Sequence, residues 1–108
     1  MTISVILPTH APCQRADALE RAVASILGQS RPPGQLIVVH DGPGRVPPDL
    51  AGRAADAGID YRYVRSDRPS LPRSRNTGVD AADGDIVVFG EDDLTFPPDY
   101  MQRVASLY

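Results

Sequence analysis

The sequence predicts an α/β fold built on an open, Rossmann-like parallel sheet in strand order 3-2-1-4. Two observations carry this expectation. Four short apolar runs, at residues 3–7, 36–39, 61–64 and 86–89, alternate with helical patterns along the chain. That alternation is the signature of parallel strands joined by crossover helices. The first, second and fourth runs are also nearly continuous, as suits strands buried on both faces. Right-handed crossovers then make 3-2-1-4, with helices on both faces, the most economical topology. At 108 residues the chain holds one domain with a modest core.

The first strand is expected to end at Pro8. The helix after it is marked by Leu19, Ala22, Val23, Ile26 and Leu27, spaced three and four apart on one stripe. Asp17 and Glu20 have capping-box spacing, and Gly28 is placed to stop the helix. Arg31-Pro32-Pro33-Gly34 is a loop by composition. The second strand runs into His40-Asp41-Gly42, and residues 43–48 read as irregular. Asp49 can cap a short helix reaching Ala57, with Gly58 ending it. The third strand is more amphipathic than the others. Ser70 can cap a helix with Pro72 in its first turn, where a missing N–H costs least. That helix is expected to reach Ala82 and stop near Gly84. The fourth strand runs into Glu91-Asp92-Asp93, and Pro97-Pro98-Asp99 opens a last helix over 100–107. No closing element follows, so the chain is expected to be a piece of a larger protein.

Composition excludes several classes. The net charge is −3, with 11 basic and 14 acidic residues. Without a basic excess to displace counterions, nucleic acid is not the expected partner. All basic residues are Arg, so a Lys-dependent phosphate loop and a Schiff-base lysine are impossible. Cys13, His10 and His40 are too few to close a Cys/His zinc site. A single cysteine cannot form an intramolecular disulfide. No apolar run approaches the roughly 18 residues of a membrane span, and the N-terminus lacks a signal pattern. A cytoplasmic location is expected, with a parent protein peripheral to a membrane as the variant. There is no G-x-S-x-G elbow, no G-x-G-x-x-G after the first strand and no H-E-x-x-H helix.

In open α/β sheets ligands bind beyond the carboxyl ends of the strands, where strand order reverses. The first strand ends at Pro8-Thr9-His10, the second at His40-Asp41-Gly42 and the fourth at Glu91-Asp92-Asp93. Three adjacent carboxylates repel one another unless they are solvated or hold a cation. Hard oxygen donors suit Mg²⁺ or Mn²⁺, which in turn bridge phosphate oxygens. The residues alone leave a solvated acidic turn and a cation site both open. Asp41 is likewise common turn chemistry or an acceptor for a base or ribose. Arg75 shares a helix face with Leu71, Gly78, Val79 and Ala82, the stripe expected to face the sheet. A buried Arg needs an anion. That anion is either a nearby carboxylate or a diphosphate, whose geometry the guanidinium fork matches. Arg73 lies off this face and is expected to be solvated. His10, His40 and Cys13 receive no role.

These residues form an ordered set. ISVILPTH opens the chain, LERAVASILGQS forms the first helix and IVVHDGP ends the second strand. LPRSRNTGVDAADGDIVVFGEDD and FPPDY follow. Together they resemble the N-terminal half of the family 2 inverting glycosyltransferases, which have a GT-A fold. The resemblance covers essentially the whole chain and implies residues 1–108 as the nucleotide-sugar-binding half of such a domain. It implies a nucleotide-diphospho-sugar donor, a UDP-sugar before others, with Mn²⁺ or Mg²⁺ as cofactor and an unknown acceptor. Thr9 matches the residue lining the nucleoside pocket, and Asp41 the Asp that meets the base. Arg75 and Asn76 match the Arg-Asn pair at the edge of the nucleotide site. Glu91, Asp92 and Asp93 match the acidic D-x-D motif. Glu91 and Asp92 would approach ribose or sugar, and Asp93, with Glu91, the metal.

The match departs from the family where Glu91 stands in place of an Asp. In a second common form, D-x-D-D, Gly90 takes the first Asp position; Asp93 is retained in both alignments. The resemblance also implies that the general base and the acceptor-binding residues belong to the C-terminal half, so the catalytic base is unknown here. A non-catalytic nucleotide-binding or self-associating module derived from a glycosyltransferase is the alternative. A phosphoacceptor signalling domain would need paired acids after the first strand and a Lys, and has neither. A sugar-nucleotide pyrophosphorylase would need a Gly-rich, Arg/Lys-containing loop after that strand. An exposed sheet edge is expected to invite self-association.

Overall fold

The computed structural model describes residues 2–9, 16–42, 46–65 and 71–108. The elements alternate as β1 (Ile3–Thr9), α1 (Ala16–Leu27), β2 (Gln35–His40), α2 (Leu50–Asp56), β3 (Asp60–Arg65), α3 (Leu71–Ala81), β4 (Ile86–Phe89) and α4 (Tyr100–Ser106). The four strands form one parallel sheet in the order β3-β2-β1-β4. This is the expected topology. His10 and Cys13 lie outside the described residues, as does Ser70 with its expected cap.

All seven residues of β1 and all six of β2 are buried, because both strands are paired on two sides and covered on two faces. The strand at the β2 edge, β3, mixes partly buried and exposed residues and has no fully buried one. On one face Val5, Leu7, Leu36 and Val38 pack with Leu19, Val23 and Ile26 of α1, Leu50 and Ala54 of α2, and Met101 of α4. The other face is thinner. There Ile6, Ile37 and Val39 pack with Val64, Val87 and the end of α3 at Ala81. Placing α1 and α2 on one side and α3 on the other follows from right-handed crossovers that reverse direction at β1.

β1 does not stop at Pro8; it runs on to Thr9, with Pro8 opposite Val39 and Thr9 opposite His40. The reason lies in the hydrogen-bonding sides. Ile6 faces β4, its carbonyl accepting from Gly90 N at 2.8 Å. Pro8, two residues on, faces the same side, where the β4 ladder has already ended at Ile6–Phe89. Its missing N–H is therefore not needed.

Two further expectations change in detail. α1 starts at Ala16, so Asp17 stands in its first turn and not at its cap. Glu20 instead forms a forked pair with Arg53 of α2, at 2.8 and 3.0 Å. On α3, Val79 is 45% exposed while Ser74 is fully buried. The sheet-facing stripe is Ser74, Gly78 and Ala81, rotated from the one expected. A Cβ at Gly78 would overlap the Ile6 side chain, so the helix lies close and only small residues fit beneath it.

Candidate functional site: a polar shelf at the carboxyl edge of the sheet

The site residues gather where β1 and β4 leave the sheet. Thr9 and Asp92 are both buried, and Thr9 Oγ1 donates to Asp92 Oδ2 at 2.9 Å. Asp41 follows β2 directly; its N–H donates to Thr9 O at 3.1 Å. Ser74 of α3 donates its hydroxyl to Asp41 Oδ2 at 3.3 Å. One chain of contacts thus joins the ends of β1 and β2, the start of α3 and the turn after β4.

The acidic turn is held at both ends. Gly90 N is tied to Ile6 O at 2.8 Å, and Phe96 N donates to Ser25 Oγ of α1 at 3.0 Å. Just beyond, the buried Gln29 side chain donates to Pro97 O at 2.6 Å and accepts from Met101 N at 2.9 Å. Between these anchors Asp92 points inward and Glu91 and Asp93 are exposed. Among the described residues no three acidic, His or Cys side chains converge on a point that could hold a metal ion. The donor chemistry still fits a small hard cation. Mg²⁺ characteristically takes only one or two protein carboxylates and completes its shell with water and substrate phosphates. Glu91 and Asp93 are the exposed carboxylates available.

Arg75 is partly buried on α3. Its guanidinium carbon lies 5.7 Å from the centre of the Phe89 ring. Its Nε is buried with no hydrogen-bond partner. No carboxylate among the described residues forms an ion pair with it. The carboxylate partner that sequence reasoning left open does not appear among the described residues. Asn76 beside it is exposed, and so is Arg73.

Sequence reasoning missed three residues. Ser74 looked like an ordinary helix residue, and its full burial comes from the rotated stripe. Phe89 read as one more apolar strand residue. His40 received no role, yet it ends β2, is 2% exposed, and lies opposite both Thr9 and Arg65 in the ladder. Its Nδ1 is 2.6 Å from the Tyr63 hydroxyl and 2.8 Å from the Arg65 guanidinium. The same guanidinium nitrogen is 3.1 Å from Nε2. The available signal was positional: His40, Tyr63 and Arg65 share one sheet face once the register is known.

The family model for Glycosyl transferase family 2 matches residues 4–108. The chain belongs to glycosyltransferase family 2. It is 25% identical over 108 residues to the glucosyl-dolichyl phosphate glucuronosyltransferase of Haloferax volcanii, covering 100% of this chain and 34% of that protein. Among solved structures it resembles S. aureus TarS 1–349 in complex with UDP, with a TM-score of 0.79 and 20% identity over 98% of this chain and 31% of that one. The same TarS segment in complex with UDP-GlcNAc gives a TM-score of 0.73 at 18% identity, covering 98% and 30%. The chain thus spans about a third of the length of these proteins. At such identities the solved structures establish the shared fold, an α/β sheet of GT-A type. No helix among the described residues is long and apolar enough to cross a membrane.

Proposed function

We propose that this chain is the donor-binding half of a metal-dependent glycosyltransferase domain. In this reading it holds a nucleotide-diphospho-sugar while the sugar passes to an acceptor hydroxyl. The observation that carries the reading is the shelf itself. Four separate elements bring Thr9, Asp41, Arg75 and the Glu91–Asp93 turn to the switch point between β1 and β4, where such sheets bind ligands. Among the described residues Arg75 arrives there with no carboxylate paired to it.

The roles follow from the chemistry of each group. Asp41, steadied by Ser74, accepts hydrogen bonds from the base. Thr9 and Asp92 form the floor of the nucleoside pocket, with Asn76 at its rim. Glu91 reaches toward ribose or sugar and, with Asp93, toward the cation. A bound Mn²⁺ or Mg²⁺ would supply charge stabilisation for the departing diphosphate. Arg75 adds a forked donor to the same developing charge. In an inverting transfer the acceptor oxygen attacks the anomeric carbon as the diphosphate leaves. The base that takes the acceptor proton is outside the residues assigned here.

Support for a UDP-sugar comes from the relatives: TarS holds UDP and UDP-GlcNAc in its structures. Calorimetry with UDP, GDP, CDP and ADP, each with Mn²⁺ and with EDTA, tests the reading. Metal-dependent binding of one nucleotide, lost in Asp93→Ala, is the expected result. Binding indifferent to both Mn²⁺ and Asp93→Ala would remove the cation from the site.

A second reading, a self-associating module, draws on the sheet edges. β3 carries Asp60, Arg62 and Arg65, charges that discourage edge pairing. β4 is Ile-Val-Val-Phe, without a charge, and its outer side has no partner strand among the described residues. Self-association would run through β4, and a monomeric sedimentation profile across concentrations would refute it.

A further inference from the structure

We propose that Phe89 is a positioning residue that holds the Arg75 guanidinium in the orientation in which it receives the donor's diphosphate. The inference rests on the donor-site reading above and adds a residue to it.

Phe89 lies opposite Ile6 in the β1–β4 register, and Ile6 is the residue against which Gly78 packs. Phe89 therefore stands on the α3 side of the sheet, beneath Arg75. Phe89 is 46% exposed, on the sheet face opposite the buried Val88. The 5.7 Å separation lies within cation–π range, about 6 Å. An aromatic face attracts the guanidinium without consuming any of its N–H donors. The buried Nε is left unbonded, and no ion pair among the described residues occupies the fork. A carboxylate in the same place would compete with the incoming phosphate oxygens; the ring does not. Phe89 is followed two, three and four positions later by the acidic residues, so the stack aims the cation at the end of the strand that carries them.

The test is calorimetry of the chain with UDP and with uridine, in Mn²⁺, for wild type, Phe89→Leu, Phe89→Tyr, Arg75→Gln and the double variant. Thermal unfolding of each confirms folding. Phe89→Leu is expected to weaken UDP about three- to tenfold, the range of a partly exposed cation–π contact. It should leave uridine within about twofold, since uridine lacks the diphosphate. Phe89→Tyr should restore UDP affinity, and adding Phe89→Leu to Arg75→Gln should cost nothing more. UDP weakened by Arg75→Gln but not by Phe89→Leu overturns the positioning role and leaves the donor site standing. Equal losses for UDP and uridine in Phe89→Leu place the ring against the nucleoside and also overturn it. Wild type that binds no UDP, or UDP binding untouched by Arg75→Gln, overturns the donor-site assignment of Arg75 and the inference with it.

Discussion

Thr9 and Asp92 stand 83 positions apart in sequence and share a 2.9 Å hydrogen bond in the buried floor of the site. The bond makes the inward carboxylate of the acidic turn a structural member and leaves its two neighbours outward. Thr9→Val keeps the shape and removes the donor. It should cost about 1.5–3 kcal/mol in urea unfolding, the range for a hydrogen bond to a charged group. It should also weaken metal-dependent nucleotide binding. Unchanged stability would mean that Asp92 is held by its other contacts alone.

Gln29 links the end of α1 to the segment entering α4. Gln29→Leu strands Met101 N and removes one of two donors to Pro97 O, which keeps Tyr100 N at 3.0 Å, at a cost of about 1–3 kcal/mol. Denaturant unfolding followed by circular dichroism checks the magnitude. A loss below the error of the measurement would show that water replaces the amide.

Glycine substitutions should have opposite signs at two positions. Gly78→Ala drives a methyl group into Ile6 and should destabilise by about 1–3 kcal/mol. Gly52 lies in α2 with nothing near its missing Cβ, so Gly52→Ala should stabilise by about 0.5–1 kcal/mol. Paired thermal melts against wild type read both signs.

Tyr61 provides a pH signature. Its burial, with a smaller contribution from Tyr63, pushes its pKa up to about 12 from the ordinary value near 10. The folded protein prefers the neutral phenol more than the unfolded chain does. The associated stability is therefore complete below pH 10 and lost between about pH 10 and 12. The ring is only half buried, so solvent screening limits the effect to about 1–2 kcal/mol. Ultraviolet titration should show one late tyrosine step, absent in Tyr61→Phe.

The fold was legible because its signals are redundant. Strand order follows from four apolar runs and a handedness rule, and neither depends on a single residue. Boundaries were less legible. Pro8 reads as a stop unless one knows that its N–H side faces a ladder already finished. The acidic turn, Asp41 and Arg75 could be found as types of chemistry at strand and helix ends. Their partners could not. Ser74 reaches Asp41, and Phe89 reaches Arg75, only because α3 is rotated from the stripe its apolar residues indicate. That rotation is decided by how closely Gly78 approaches Ile6, a distance absent from the order of residues.

The thinness of the α3 face has a practical corollary for altering donor preference. Arg75 rides on a helix whose standoff from the sheet is set by a serine, a glycine and an alanine on its underside. A library that randomises the rim of the pocket while sparing those small residues keeps the cation at its working height. A library that admits bulk at position 78 raises the whole helix. On the donor-site reading proposed above, it would then lose diphosphate affinity through residues that never meet the ligand.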